Sequence, residues 1–577
     1  MKRTTKKMKA FHRIFRIRLI IVAALFGLVG VVIVARAVQL QMLDHEFLSK
    51  QGDSRHIRVE TLTAHRGMIT DRNGEPLAVS TPVDSIWANP SELLKATDRL
   101  PELAVALNRS EDWLVRRVTG NSSRQFLWLQ RHMPPDRALA VMALKLPGVA
   151  SRREYRRYYP AGEVTGHVIG FTNVDDSGQE GLELAYDPWL TGTPGAKRVL
   201  RDRLGRTIED VEGIEPPSPG RDLKSSIDLR IQYLAYRSLK NAVSEHGANS
   251  GSVVVLDVES GEVLAIVNQP GYNPNDRSQY SVGRYINRAA TDIFEPGSSF
   301  KPFIVAAALE SGRYHSESIL DTSPGHFNVG SKTIKDKHNL GRISITTVLT
   351  KSSNVGASRI SLSLEREQLW SVLDSFGIGH LTSSGFPGES AGLMTHYDQW
   401  REIRQAVMAY GYGLSVTPLQ LAHAYSIFGT GGLSRPVSLL AVDTRPVEER
   451  VISRETAETV VQMMETVVGP EGTAKKANVR GFSIAGKTGT AHKAVAGGYD
   501  TRLYTAVFAG LAPATRPRLA IVVVVDEPSN GQFYGGAVAA PVFSEVAAGA
   551  LRVLGVPPDA APDAKPVTPV LQAMSQP

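Results

Sequence analysis

At 577 residues the chain is long enough for several domains with real cores, and a composition of 42% hydrophobic and 21% charged residues excludes a mainly disordered protein. The formal net charge of +8 sits in one tail: eight Lys and Arg and no acidic residue precede Leu19, so the remainder is neutral overall and offers no basic surface for nucleic acid. Zero cysteines exclude disulfides, thiolate metal sites and a cysteine nucleophile.

The basic tail, residues 1–18, abuts the uncharged run LIIVAALFGLVGVVIVA at 19–35. Such a run spans roughly 26 Å as a helix, at the short end for a membrane span, and flanking apolar positions extend it to about residue 40. Basic residues before it predict a cytoplasmic N-terminus, with everything after residue 40 on the far side of the membrane. Ala35-Arg36-Ala37 has the spacing of a signal-peptide cleavage site. The apolar run is longer than a usual signal core, however, and VQLQMLDHEFLSK continues it in helical fashion. The expectation is a retained anchor.

After the anchor, AHRGMITDRNGEPLAVS (64–80) alternates like two strands around an Asn-Gly turn, and PELAVALNRSEDWLVRRV (101–118) reads as helical. The region up to about 225 shows no fixed repeat and no nucleophile-like constellation. Around Ser226 the texture changes. SIDLRIQYLAYRSLKNAVSEH carries apolar residues at helical spacing, and GSVVVLDVESGEVLAIVNQP is two apolar runs joined by Glu-Ser-Gly, the signature of a hairpin. Two more strands, YTAVFAGLAP and LAIVVVVDEP, and a helix, APVFSEVAAGALRVLG, close the region. Helix and strands at each end of a mainly helical middle predict one α/β domain, an α+β sandwich whose sheet joins both ends. VPPDAAPDAKPVTPVLQAMSQP (556–577) is Pro/Ala-rich and expected to be disordered.

Chemistry concentrates in EPGSSFKPF (295–303). On a helix, Ser298 and Lys301 at i and i+3 share one face. A serine hydroxyl needs a base before it attacks an acyl group, and an amine serves if it is neutral. Keeping a lysine of pKa about 10.4 neutral at pH 7 costs roughly 4.6 kcal/mol, which burial and a second cation can supply. A helix N-terminus adds N–H groups for an oxyanion. Alone, Ser-x-x-Lys is usually a solvated helix face. Two further elements follow in order. KSSNVG (351–356) offers Ser352 and Asn354, alternate residues able to point into one cleft. AGKTGTA (485–491) puts Lys487, Thr488 and Thr490 on a strand, with Gly489 leaving room for a substrate backbone. Singly, Ser-Ser-Asn reads as a helix cap and Lys-Thr-Gly-Thr as an edge strand with a cationic gatekeeper. Together and in this order they carry a strong signal.

Ser-x-x-Lys, Ser-x-Asn and Lys-Thr-Gly are the motif set of penicillin-binding proteins and class A β-lactamases. The sequence resembles the class B penicillin-binding proteins, specifically the FtsI-like peptidoglycan D,D-transpeptidases of cell division. The likeness also covers RGMITDRNGEPLA (66–78), RRYYPAGEVTGHVIGF (156–171), GLELAYDPWLTGTPG (181–195) and YGYGLSVTPLQLA (410–422). It implies a serine β-lactamase/transpeptidase-like catalytic domain over 226–555, with an antiparallel sheet and a helical subdomain. A non-catalytic, dimerisation-type pedestal over 41–225 and an anchor over 19–40 would precede it.

Carried over from the resemblance, Ser298 would be the acylated nucleophile, Lys301 its general base and Ser352 a proton relay. Lys487 would lower the pKa of Lys301, and Asn354 would bind the substrate's peptide amide. Thr488 and Thr490 would hold the donor carboxylate, and the N–H groups of Ser298 and Thr490 would form the oxyanion hole. Tyr504 would line the cleft. The implied partners are the D-Ala-D-Ala donor and amine acceptor of peptidoglycan stem peptides, β-lactams, the membrane, a separate glycosyltransferase and other division proteins. No metal or organic cofactor is implied. The implied location is the inner membrane, with the catalytic domain periplasmic. Two rivals stay open: a D,D-carboxypeptidase or β-lactamase using water, and a divisome scaffold or β-lactam sensor. The 64–80 stretch and the short Pro-rich tail lean towards a septal rather than a side-wall role.

Overall fold

The computed structural model describes residues 2–44, 57–201, 207–276, 278, 281–444, 447–495 and 498–560. By compactness the chain forms two units. One holds residues 1–64, 82–154 and 193–218; the other holds 65–81, 155–192 and 219–577.

In the first unit a single helix runs from Lys2 to Val38, and the apolar stretch Phe11–Met42 has a mean hydropathy of 2.9 with none of its most apolar window buried. That is the exposure expected of a helix made to face lipid. A three-stranded antiparallel sheet pairs Gly195–Arg201 with both Ile57–Leu62 and Thr207–Glu215. The stretch expected to be helical is two helices, Leu100–Leu107 and Glu111–Thr119. Asn108 breaks them at φ +55°, and Ser110 caps the second by accepting from the Trp113 N–H. Leu103, Leu107, Leu114 and Val118 from these helices bury against Ile86, Leu127 and Met133.

The second unit takes in residues on both sides of residue 225. Arg66, from RGMITDRNG, is buried and donates to Glu183 Oε2 at 2.8 Å and to Asp187 Oδ1 at 2.7 Å. Arg157 donates to the other oxygen of Glu183 at 2.6 Å. Buried charges persist only when paired, and this network ties 65–81 to 155–192, while Ser225 Oγ donating to Thr70 O at 2.8 Å and Asn275 Nδ2 to Tyr159 O at 2.9 Å tie both to the later sequence. The expected strands around Asn73-Gly74 form: Ile69 pairs with Ala78 across a turn in which Gly74 has φ +94°.

The remainder of this unit comprises α1 (Leu229–Glu245), β1 (Ser250–Asp257), β2 (Val263–Gln269), α2 (Lys301–Glu310), α3 (Asn354–Ser363), α4 (Pro418–Gly429), α5 (Arg454–Val468), β3 (Ala485–Val495), β4 (Gly498–Ala512), β5 (Leu519–Asp526) and α6 (Gly535–Val553), with shorter elements between them. The sheet is antiparallel throughout, in the order β2-β1-β5-β4-β3, so strands from both ends of the sequence stretch pair as expected. Every residue of β1 and β2 is buried, because helices cover both faces. Each Val or Ile so enclosed contributes about 1.5–3 kcal/mol relative to exposure. Asp228 caps α1 by accepting from the Arg230 N–H at 3.1 Å. Thr417 and Gln420 form a reciprocal capping box on α4. α6 is apolar enough to span a membrane but lies half buried, with Phe543 edge-on to Phe508 of β4. It is a core helix.

Of the tail expected from residue 556, residues 556–560 are described and Val556 and Asp559 are held in place. Asp559 accepts from the Ser483 N–H at 2.8 Å and from the Thr515 hydroxyl at 2.5 Å, and Val556 packs on the core. Residues 561–577, where the rest of the expected disorder falls, lie outside the described residues.

Candidate active site

A cleft of about 600 Å³ is lined by Ser298, Ser352, Asn354, Thr488 and Thr490, together with Asp336 and Tyr534. The three motifs therefore meet.

Ser298 does not lie on α2. It sits in a 3-10 turn, Gly297–Phe300, and α2 starts at Lys301. Ser298 and Lys301 thus stand on either side of the junction between the turn and α2. The turn is held from beneath. Gly297 adopts φ +56°, and its N–H donates to Gly411 O at 3.2 Å. A Cβ on Gly411 would lie 2.1 Å from Gly297 O, so the YGYG stretch supplies clearance for the nucleophile turn. Tyr425 donates to Ser299 O at 2.6 Å.

Lys301 is fully buried, and its Nζ donates to Ser352 O at 2.6 Å, Ser352 Oγ at 3.2 Å and Asn354 Oδ1 at 2.8 Å. Lys487, equally buried, donates to the same Ser352 Oγ at 3.0 Å and to Thr488 O at 3.2 Å. Burial pushes Lys301 well below the ordinary lysine range, the Lys487 cation pushes it further, and Asp336 opposes them. Burial alone brings Lys487 down to about 7. Two amines and one hydroxyl thus form a hydrogen-bonded chain.

Ser352 and Asn354, the alternate residues of the motif, both line the cleft. Ser352 adopts φ +59°, and Ser353 is the N-cap of α3, its Oγ accepting from the Gly356 N–H at 2.8 Å. The cap reading holds at Ser353, flanked by these two cleft-lining residues. On the edge strand β3, Thr488 Oγ1 lies 3.0 Å from Thr473 Oγ1, and Thr490 Oγ1 accepts from the Gly535 N–H at 3.0 Å.

Two expected site residues are placed differently. Gly489 is buried, and a Cβ there would lie 2.5 Å from Pro296 O and 3.3 Å from Ser299 Oγ. Its bareness accommodates the nucleophile turn, not a substrate backbone. Tyr504 does not line the cleft. It pairs across the sheet with His492 and stacks on Phe533 at 4.1 Å, and Phe533 in turn packs on Tyr534 at 4.5 Å. Tyr534, which reaches the cleft, follows β5 in a loop whose sequence gave no signal. Asp336 was equally silent, one acid among the lysines of KTIKDKH.

A family model described as the penicillin binding protein transpeptidase domain matches residues 251–548, and one described as the penicillin-binding protein dimerisation domain matches 61–225. The chain is 45% identical over 533 residues to the peptidoglycan D,D-transpeptidase FtsI of Escherichia coli strain K12, covering 92% of this chain and 90% of that one. It is 41% identical to the probable peptidoglycan D,D-transpeptidase PbpC of Pseudomonas aeruginosa, over 94% of this chain and 96% of the other. Among solved structures, the transpeptidase domain of Burkholderia pseudomallei penicillin-binding protein 3 in its apo form is 41% identical. It covers 58% of this chain and 98% of its own, with a TM-score of 0.54. A peptidoglycan synthetase from Bifidobacterium adolescentis shares the fold over 88% of this chain and 98% of its own, at a TM-score of 0.70 and 24% identity.

Proposed function

The chain belongs to the class B penicillin-binding proteins, and we propose that it is a peptidoglycan D,D-transpeptidase that cross-links stem peptides through a serine acyl-enzyme on Ser298. The observation that carries this reading is the convergence of two buried lysines on Ser352 Oγ, at 3.2 and 3.0 Å, in the cleft that Ser298 lines.

In this reading neutral Lys301 takes the Ser298 proton as Oγ attacks the carbonyl of the penultimate D-alanine. The C–N bond to the last D-alanine breaks. The proton reaches the leaving amine through the Lys301–Ser352–Lys487 chain, and an acyl-serine ester remains. An acceptor amine then attacks the ester, loses a proton to the same chain and leaves as the cross-linked amide, with Ser298 restored. Thr488 and Thr490 hold the donor carboxylate, and Asn354 orients the peptide amide. The N–H groups of Ser298 and Thr490 receive the oxyanion. The one carboxylate lining the cleft, Asp336, already accepts from three donors, which weighs against a hydrolase with a free base for water.

The basic flank before the apolar helix supports a cytoplasmic N-terminus and a catalytic unit beyond the inner membrane. We place the enzyme in septal wall synthesis, working on strands made by a separate glycosyltransferase.

The test is a fluorescent penicillin incubated with the detergent-solubilised chain and with Ser298→Ala, followed by a denaturing gel. A stable band in the first alone is expected. An unlabelled chain that consumes the reporter would indicate a fast hydrolase, and an unlabelled, folded chain with intact reporter would indicate a scaffold.

A further inference from the structure

Asp336 belongs to none of the three motifs, yet it is bonded to one of them three times. Its carboxylate accepts from the Ser353 hydroxyl at 2.5 Å, the Asn354 N–H at 2.5 Å and the Val355 N–H at 3.0 Å. It directly follows the hairpin strand Lys332–Lys335, which pairs with His326–Val329. Ile334 of that strand is buried with Val329, Val355 and Ala406 in a small core of its own. The aspartate is therefore anchored on a packed hairpin, and both of its oxygens reach the first turn of α3, where N–H groups lack partners within the helix.

A helix cap needs only one such bond, and Ser353 already supplies it to the Gly356 N–H. The additional bonds fall on the residues that follow Ser352, a serine at φ +59°. A non-glycine residue in the left-handed region persists only where its surroundings over-determine it. We infer that Asp336 is a positioning residue for acylation, fixing the Ser352 hydroxyl and the Asn354 amide oxygen at the Lys301 amine through the backbone they share. The inference rests on Ser298 being the acylated nucleophile.

Asp336 also acts through its charge. Lys301 feels its own burial and the Lys487 cation, both of which favour the neutral amine, and the Asp336 carboxylate, which favours the charged one. The other titratable groups of the cleft wall are Lys337, His338, Lys351, Lys476 and Tyr534. Lys351 is held by Glu471 at 2.9 Å.

The experiment is the second-order rate of acylation by a fluorescent penicillin across pH 5.5–9, on the full chain in detergent, for wild type, Asp336→Asn and Asp336→Ala. Asp336→Asn keeps an acceptor for the backbone N–H groups and loses the charge. Its acid limb should shift to lower pH, with a plateau within about tenfold of wild type. Asp336→Ala loses both functions, and its plateau should fall about a hundredfold or more. A merely structural cap would lower the melting temperature and leave the limb of Asp336→Asn where it was. That result, or an alanine variant acylated like wild type, overturns the inference. Should Asp336→Ala not fold, the asparagine profile decides alone. Failure of the wild type to be labelled would overturn the nucleophile assignment instead, so the two failures are distinguishable.

Discussion

Lys301 and Lys487 donate to the same hydroxyl oxygen, Ser352 Oγ, from elements 186 residues apart in the sequence. Neither lysine makes an ion pair among the described residues. Two ammonium groups this close and this deeply buried cannot both stay charged. At least one amine of the pair is therefore neutral, and Lys301, depressed by both burial and its neighbour, is the one we propose as the base.

The pH dependence of acylation follows from that pair. Lys301 accepts the Ser298 proton only when neutral, so the rate should fall as pH drops through its depressed pKa. Lys487→Ala removes a cation that pushes Lys301 down. The acid limb should then move to higher pH, and the rate at pH 7 should fall about 10²-fold. Labelling rates from pH 5 to 9 check this. A limb that stays in place would show that Lys487 does not set the state of Lys301.

Lys487 should also oppose folding at neutral pH. Its folded pKa is about 7 against an ordinary 10.5, so between those values the unfolded chain binds more protons and stability rises with pH. Lys487→Met should raise the melting temperature at pH 7, by at most the equivalent of about 5 kcal/mol before lost hydrogen bonds are counted. The advantage should shrink towards pH 10. Thermal melts at pH 7 and pH 10 decide it, and an equal difference at both would exclude the linkage.

Gly489→Ala should damage chemistry more than stability. The added methyl would lie 2.5 Å from Pro296 O, on the backbone that carries Ser298. Overpacking of this kind costs about 1–3 kcal/mol. Because the displaced atoms belong to the nucleophile turn, acylation should drop by about 10² or more, since small misplacements carry large rate penalties. Paired melting and labelling assays separate the two effects, and near-normal labelling would count against the steric account.

Tyr534→Ala should weaken encounter with β-lactams, raising the concentration for half-maximal labelling by about five- to tenfold without slowing the bound step. Tyr504→Ala, two rings back from the cleft, should change it less, because its contact is with Phe533. A larger effect at Tyr504 would mean that the stack, not the ring facing the cleft, governs binding.

What the sequence made legible follows from where each bond goes. The sheet could be read because β1, β4 and β5 are apolar on both faces, and the motifs because their side chains act directly. Asp336 stayed hidden because two of its three partners are main-chain N–H groups, which any residue supplies and no pattern marks. Tyr504 was placed too near the cleft because strand alternation cannot foresee Phe533 and Tyr534 arriving from a loop after β5. Gly489 was read as room for a ligand because the sequence says only that space is needed, not which backbone fills it. The Arg66–Glu183–Arg157 cluster went unread for a related reason: three buried charges far apart in sequence look like ordinary surface residues until they pair.

The left-handed backbone of Ser352 places that position under two opposed evolutionary pressures. Glycine adopts φ +59° without the penalty of about 1 kcal/mol that a side chain incurs there. Glycine would relieve that strain but delete the oxygen on which both buried lysines converge, and each buried donor left without its acceptor costs about 1–3 kcal/mol. Serine at 352 is therefore held by stability as well as by chemistry: a lineage that no longer needed the reaction would still have to re-house two buried amines before glycine became the favoured residue.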